Sequence, residues 1–390
     1  MIRLEDEILT LLETGESAAL ATIVGQTGSA PRTPGTRMVV RRDGSILGTI
    51  GGGRLEAEVI QTGLEVLRSG VSRLQHVTLT GKDVGDMDMI CGGELDVLVE
   101  PVRPVPRTME LFRLLGRQRE QGGDWLLATV LRDSPGGQAG LLSESFLVQR
   151  SASGLRFYPE QPDNPEGLAS LLETARTECR PTLYTAGNTL GESRVVIEPI
   201  RAKETVHLFG AGHVAREVAI LAHRVDFRVE VHDDRPDFAN PERFPLADAI
   251  HVPENMGQTL GLTLNGPQID GNSYVVIVTR GHTHDMDVLA QALGTQAAYI
   301  GMIGSRRKRD AIYAALRGQG FSQDNLSGVH CPIGLEINAQ TPAEIALSIV
   351  AELVKIRAIA RSAPGVSTVC PHLPGDSTTL KAADLFRILP

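Results

Sequence analysis

The chain has 390 residues, of which 42% are hydrophobic and 22% charged; that suits two or three domains with their own cores and is unlike a disordered chain. With 38 Lys and Arg against 47 Asp and Glu, the net charge is −9, which argues against non-specific nucleic-acid binding, an interaction that runs on basic contacts to phosphate. No apolar run approaches the ~20 residues that span a bilayer. The opening residues, Met1 to Glu7, carry neither the basic nor the apolar region of a secretory leader. Cys91, Cys179, Cys331 and Cys370 are scattered and form no C-x-x-C pair. A cytoplasmic protein with reduced thiols is expected, with neither nucleic acid nor membrane as its partner.

Leu4, Ile8, Leu11 and Leu12 recur at helical spacing and predict a first amphipathic helix. Ala18 to Val24 reads as a buried strand, and Met38 to Leu47 as a hairpin turning at Asp43-Gly44. Gly51-Gly52-Gly53 then opens a helix with Leu55, Val59, Ile60, Leu64 and Leu67 on one side. Cys91-Gly92-Gly93 precedes an alternating strand, Leu95 to Val99. From about residue 104 to 200 the same α/β layer is expected to continue, through a helix at Met109, Phe112 and Leu115 and strands at Trp125 to Val130 and Val195 to Ile200. A domain boundary is expected at Pro199 to Glu204.

Beyond it the alternation is regular, with strands predicted at 205–209, 227–233, 249–252, 273–279 and 299–303 and helices between most of them. Short apolar runs alternating with helical patterns imply a parallel sheet with crossover helices. Thr341-Pro342-Ala343-Glu344 is a capping box with proline at the first helical position, opening a closing helix through Ile345, Ile349, Leu353 and Ile356. The fold class is therefore α/β. An N-terminal α/β domain over 1–200 is followed by a Rossmann-like, doubly wound parallel-sheet domain over 205–361, and a loosely packed tail occupies 362–390.

The clearest chemistry lies in the second half. Thr205 to Phe209 reads as a strand, Gly210-Ala211-Gly212 as a tight turn, and Val214, Val218, Leu221 and Ala222 as a helix stripe. Gly210 permits the turn, Gly212 lets backbone N–H groups approach a pyrophosphate, and Ala215 is small enough for close helix packing. Asp233, about 20 residues on, stands where a carboxylate would take ribose hydroxyls. His282, His284 and Asp285 offer either metal ligands or ligand contacts at the end of the fourth strand. Ser305 is a natural N-cap, and a helix start beside Arg306, Arg307 and Lys308 can hold an anion.

The first half offers a stiff loop, Gly28 to Gly35, with Arg32 in it. Gly51, Gly52 and Gly53 open a helix and expose backbone donors to an anion, while Glu56 is placed either to bond a heterocycle or to cap its own helix. Cys91, followed by two glycines, is sterically open, and its thiolate suits a transition metal or the carriage of sulfur. Cys331 is expected to pack against the closing helix.

Taken together, these stretches closely resemble the XdhC/CoxI family, the accessory factors of xanthine dehydrogenase and related molybdenum hydroxylases. The matching text is GSAPRTPGTRMVV (28–40), TIGGGRLEAEV (49–59), CGGELDVLVEP (91–101), HLFGAGHVA (207–215), HDDRPDFANPERFP (232–245), VTRGHTHD (278–285), YIGMIGSRRKR (299–309) and PIGLEINAQTPAEIALSIVAEL (332–353), in family order. The resemblance implies a homodimeric protein that binds molybdenum cofactor, supports its sulfuration with a cysteine desulfurase, and hands it to an apo-hydroxylase. It also implies that Cys91 contacts the cofactor and its metal. One branch of the family carries a cysteine where this chain has Arg54. The competing expectation is an NAD(P)-dependent oxidoreductase using Gly210 and Asp233, with His282 or His284 as general acid. A third is a hydrolase with a metal on His282, His284 and Asp285.

Overall fold

The alternating apolar strands of the first half pair edge to edge into antiparallel sheets. The structure, a computed structural model, describes residues 4–79, 92–134, 140–151, 154–175, 180–185, 193–256 and 269–362. It divides between Ala202 and Lys203 into two compact units.

In the first unit α1 (Leu4–Glu13) leads into β1 (Ala18–Thr27), β2 (Arg37–Val40) and β3 (Ile46–Gly48), followed by α2 (Gly53–Ser69), β4 (Arg73–Thr78) and β5 (Glu94–Val102). The strands form one antiparallel sheet in the order β3-β2-β1-β5-β4. Leu55, Val59 and Val66 of α2 share a core with Ala21, Ile23 and Val97 of that sheet. Then come α3 (Pro106–Gln121), β6 (Trp125–Asp133), β7 (Leu141–Ser151), β8 (Gly154–Tyr158), α4 (Pro165–Thr174), β9 (Thr182–Thr185) and β10 (Arg194–Ile200).

These later strands do not continue the first layer. They make a second five-stranded antiparallel sheet, β8-β7-β6-β10-β9, and an isolated bridge between Ser72 and Leu141 joins the two. Periodicity fixes which side chains of a strand face inward but leaves open which strand it will pair with. Ile8, Leu12, Phe112 and Leu115 of α1 and α3 meet Leu20 and Val39 of one sheet and Trp125 and Leu147 of the other in a shared core.

The second unit runs β11 (Thr205–Phe209), α5 (His213–Arg224), β12 (Arg228–His232), β13 (Ala249–His251), β14 (Ser273–Ile277), α6 (His282–Ala292), β15 (Tyr299–Met302), α7 (Arg306–Gly318), α8 (Gln323–Ser327) and α9 (Pro342–Ser362). All five strands are parallel, in the order β13-β12-β11-β14-β15. This doubly wound order reverses between β11 and β14. One face buries Val206, Leu208, Val229, Val231 and Val276 against α5 and α9; the other buries Val275 and Ile277 against Val288 and Leu289 of α6 and Ile312 and Leu316 of α7. α9 opens on the capping box read from the sequence: Thr341 Oγ1 accepts the Glu344 N–H at 3.3 Å, and Glu344 accepts the N–H groups of Gln340 and Thr341 at 2.8 and 2.9 Å.

Candidate functional site

At the reversal point the sequence builds a tight turn on the end of β11. Gly210 has φ +108°, and a Cβ there would lie 2.5 Å from the Val278 carbonyl oxygen and 2.9 Å from the Thr279 Cα. The turn is thus packed directly on the loop that leads from β14 into α6. α5 begins on Gly212 and α6 on Gly281, and neither helix start has a side-chain cap. Two helix N-termini with uncapped N–H groups therefore follow the two strands that flank the switch point, where folds of this kind bind phosphorylated ligands. Ala215 is buried against Leu208 and Val231, and its small side chain lets α5 approach the sheet.

Asp233 takes partners other than those expected of a ribose-binding carboxylate. One oxygen accepts the Ala211 N–H at 2.8 Å, and both accept from the Arg235 guanidinium at 2.8 Å. Burial pushes this carboxyl up, but the bonds from Arg235 and from the Ala211 and Arg235 N–H groups outweigh it and hold it below the ordinary aspartate value. It clamps the glycine turn from beneath. Arg280 pairs with Asp234 at 2.8 Å, joining the loops after β14 and β12, the strands on either side of β11.

His282 is exposed at the first position of α6, whereas Asp285 is fully buried. The Asp285 carboxylate accepts the Thr279 hydroxyl at 2.7 Å and is ion-paired to Lys308. It is committed to tying α6 to α7, and His282, His284 and Asp285 do not come together as a metal-ligand group among the described residues. Ser305 caps α7, accepting the Lys308 N–H at 3.2 Å.

In the first unit the structure brings three sequence motifs together. A Cβ at Gly51 would lie 2.9 Å from Pro31 and 3.6 Å from Arg32, and one at Gly93 would lie 2.3 Å from the Ser29 carbonyl oxygen. The Gly28 to Gly35 loop therefore sits against both the Gly51 turn and the Gly92-Gly93 pair. Arg32 on this loop is exposed. The donors of the glycine turn are partly used internally: Gly51 N–H bonds Thr49 Oγ1 at 3.2 Å, and Gly52 N–H and Ile50 N–H both reach Glu56 at 3.3 Å. Glu56 thus folds back onto the turn that precedes its own helix. Cys91 lies outside the described residues.

Cys331 does not pack against α9. It lies with Ile312, Leu316, Leu326 and Val329 on the opposite face of the sheet, because the chain crosses the sheet edge between Cys331 and Ile333. Burial pushes its thiol up to about 11, which removes it as a thiolate at neutral pH.

One group escapes the sequence reading. His207, Glu230 and His232 hold three ligand atoms within 4.8 Å of one another on the face of the sheet opposite α5 and α9. Burial brings His207 down to about 4 and His232 well below the ordinary histidine range, so both rings are neutral at pH 7. The signal is present in the strands themselves: alternate positions of a parallel sheet buried on both faces should be apolar, and here they read His, Glu and His.

The profile of the XdhC Rossmann domain matches residues 206–353 and that of the XdhC and CoxI family residues 11–78, together more than half of the chain. A relative from Bacillus subtilis, described as a probable xanthine dehydrogenase subunit, is 28% identical over 89% of this chain and 95% of its own length. The molybdenum cofactor insertion chaperone PaoD of Escherichia coli is 25% identical over 89% of this chain and 85% of its own. The uncharacterized protein YqeB of Escherichia coli is 25% identical over 91% of this chain, which spans only 46% of that relative. A crystal structure of a xanthine dehydrogenase from Bacillus halodurans shares the fold, with a TM-score of 0.70 at 24% identity, covering 90% of this chain and 96% of its own. The chain belongs to the XdhC and CoxI family.

Proposed function

We propose that this protein is a carrier of molybdenum cofactor that supports cofactor sulfuration and delivers the group to a xanthine dehydrogenase-type hydroxylase. It acts in the cytoplasm as a homodimer and receives sulfur from a cysteine desulfurase. The observation that carries the reading is the uncapped start of α5 behind the Gly210 turn at the switch point. Molybdopterin is a phosphorylated pterin, and its dinucleotide form carries a pyrophosphate. Gly212 and the first N–H groups of α5 would receive that anionic end, with His282 and the start of α6 beside it and Ser305 at the start of α7. Bound there, the cofactor supplies the molybdenum centre that the client uses. In the first unit Arg32, Gly51, Gly52 and Gly53 belong to the loop cluster that Cys91 adjoins in sequence, a second set of candidate cofactor contacts in which the Cys91 thiolate is soft enough for molybdenum. The names of the Bacillus subtilis and Escherichia coli relatives support the same role.

The oxidoreductase reading gains nothing from Asp233, whose oxygens are engaged by Arg235 and Ala211. Expression in a cofactor-producing host should yield protein that, after oxidation, releases a fluorescent pterin. Cys91→Ser should retain less of it, or fail to activate the hydroxylase, with an unchanged circular dichroism spectrum. Pterin-free protein that instead binds NAD(H) or NADP(H) at micromolar concentration would overturn the assignment.

A further inference from the structure

We propose that His207, Glu230 and His232 form a binding site for a divalent transition-metal ion of the zinc class, separate from the glycine turn. His207 on β11 is in register with Glu230 on β12, and His232 with His251 on β13, so all four project from one face of the sheet. His207 Nδ1 stands 3.4 Å from His232 Nε2 and 3.7 Å from Glu230 Oε2. Bonds of about 2.0–2.1 Å to a tetrahedral ion put neighbouring ligand atoms about 3.3–3.4 Å apart. The side chains already stand close to the spacing of two edges of such a tetrahedron.

Without an ion the two imidazoles satisfy each other poorly. His207 is 2% exposed, and its Nδ1 faces another imidazole nitrogen at a long 3.4 Å. Two ring nitrogens stand together beside a carboxylate oxygen, and a cation can accept a lone pair from each of the three at once.

The ligands are also held from behind. The His232 ring stacks between Phe209 and His251, with centroids 4.5 Å away on each side and interplanar angles of 12° and 4°. Glu230 accepts the Arg228 Nε–H at 3.2 Å on one oxygen and bonds His251 Nε2 at 3.1 Å through the other. Such outer contacts fix the orientation of metal ligands. Two imidazoles and one carboxylate suit zinc, nickel, iron or copper and not the all-oxygen preference of magnesium or calcium. Three protein ligands leave a fourth position for water or an exogenous ligand.

The test uses the full chain, stripped with a chelator and titrated with Zn²⁺ by calorimetry and with Co²⁺ by visible absorption. One ion per chain is expected, with tetrahedral-type cobalt bands lacking a thiolate charge-transfer band, and Zn²⁺ should raise the melting temperature. His207→Leu and Glu230→Gln should each weaken binding by about 10-fold or more. Should His207→Leu fail to give the wild-type circular dichroism spectrum, the near-isosteric Glu230→Gln decides alone. Absence of saturable binding, a thiolate band, or affinity unchanged in Glu230→Gln would each overturn the assignment.

Discussion

A side chain added at Gly210 would collide with the Val278 carbonyl at 2.5 Å, whereas one added at Gly212 would meet nothing within 4 Å. Gly212 has φ −76° and ψ −169°, an extended conformation open to any residue. The two glycines therefore separate the demand of the turn from the proposed anion site. Gly212→Asp should leave the protein as stable as before, or a few tenths of a kcal/mol more so, since aspartate is a strong N-cap and the helix now has no side-chain cap. The same carboxylate would occupy and repel the anion's place at the start of α5, so cofactor retention should fall sharply. A variant that melts normally and still carries a full complement of pterin would show that the phosphate lies elsewhere. The glycine spacing makes this turn legible in the sequence, because local backbone demands are written in local residues. The partners of Asp233 are not legible there: that Arg235 turns back onto it depends on how the loop after β12 folds.

The closing helix shows the same division between local and distant information. Thr341, Pro342 and Glu344 announce the start of α9, and the capping bonds form as read. What fastens its middle is a half-buried network that no spacing rule predicts. Glu352 accepts from the Tyr299 hydroxyl of β15 and from the Gly334 N–H at 2.9 Å, and meets His330 Nδ1 at 3.0 Å. Burial raises the Glu352 carboxyl, but those hydrogen bonds outweigh it and leave its folded value below the ordinary one. A carboxyl depressed on folding contributes stability that is present at neutral pH and lost as pH falls below the unfolded value of roughly 4.3 toward the folded one. Glu352→Gln should cost about 1–3 kcal/mol at pH 7, and urea midpoints measured from pH 7 to pH 3 should decline less steeply in the variant. Equal acid sensitivity in the two proteins would mean that other carboxylates govern it. The second antiparallel sheet, by contrast, reads in the sequence as an extension of the first, because strand partnership is settled by tertiary contacts.

At the scale of the whole molecule, what matters is that each hydrophobic core, among the described residues, lies within one unit. The clusters built on Val206 and Phe209 draw all their buried members from residues 206–353, and those built on Ala19, Ile8, Leu126 and Val24 draw theirs from residues 8–200. Two charge pairs near the division each lie within the second unit. Glu204 is bound through both oxygens by Arg361 at 2.8 and 2.9 Å, and Lys203 pairs with Asp226 at 2.9 Å, so the entry to β11 is fastened to its own domain. A unit with its own core and closed hydrogen bonding at its ends can fold alone. A fragment beginning at Lys203 should therefore unfold cooperatively in urea and keep the far-ultraviolet signature of a mixed helix and sheet protein. The fragment ending at Ala202 should do the same. The C-terminal fragment should also retain the metal titration, since His207, Glu230 and His232 all lie within it, while pterin retention should drop if the sulfur of Cys91 contributes to holding the cofactor. A C-terminal fragment that aggregates or melts without a cooperative transition would show that its core depends on the first 202 residues, and the division at Ala202 would then mark a change of architecture within one folding unit.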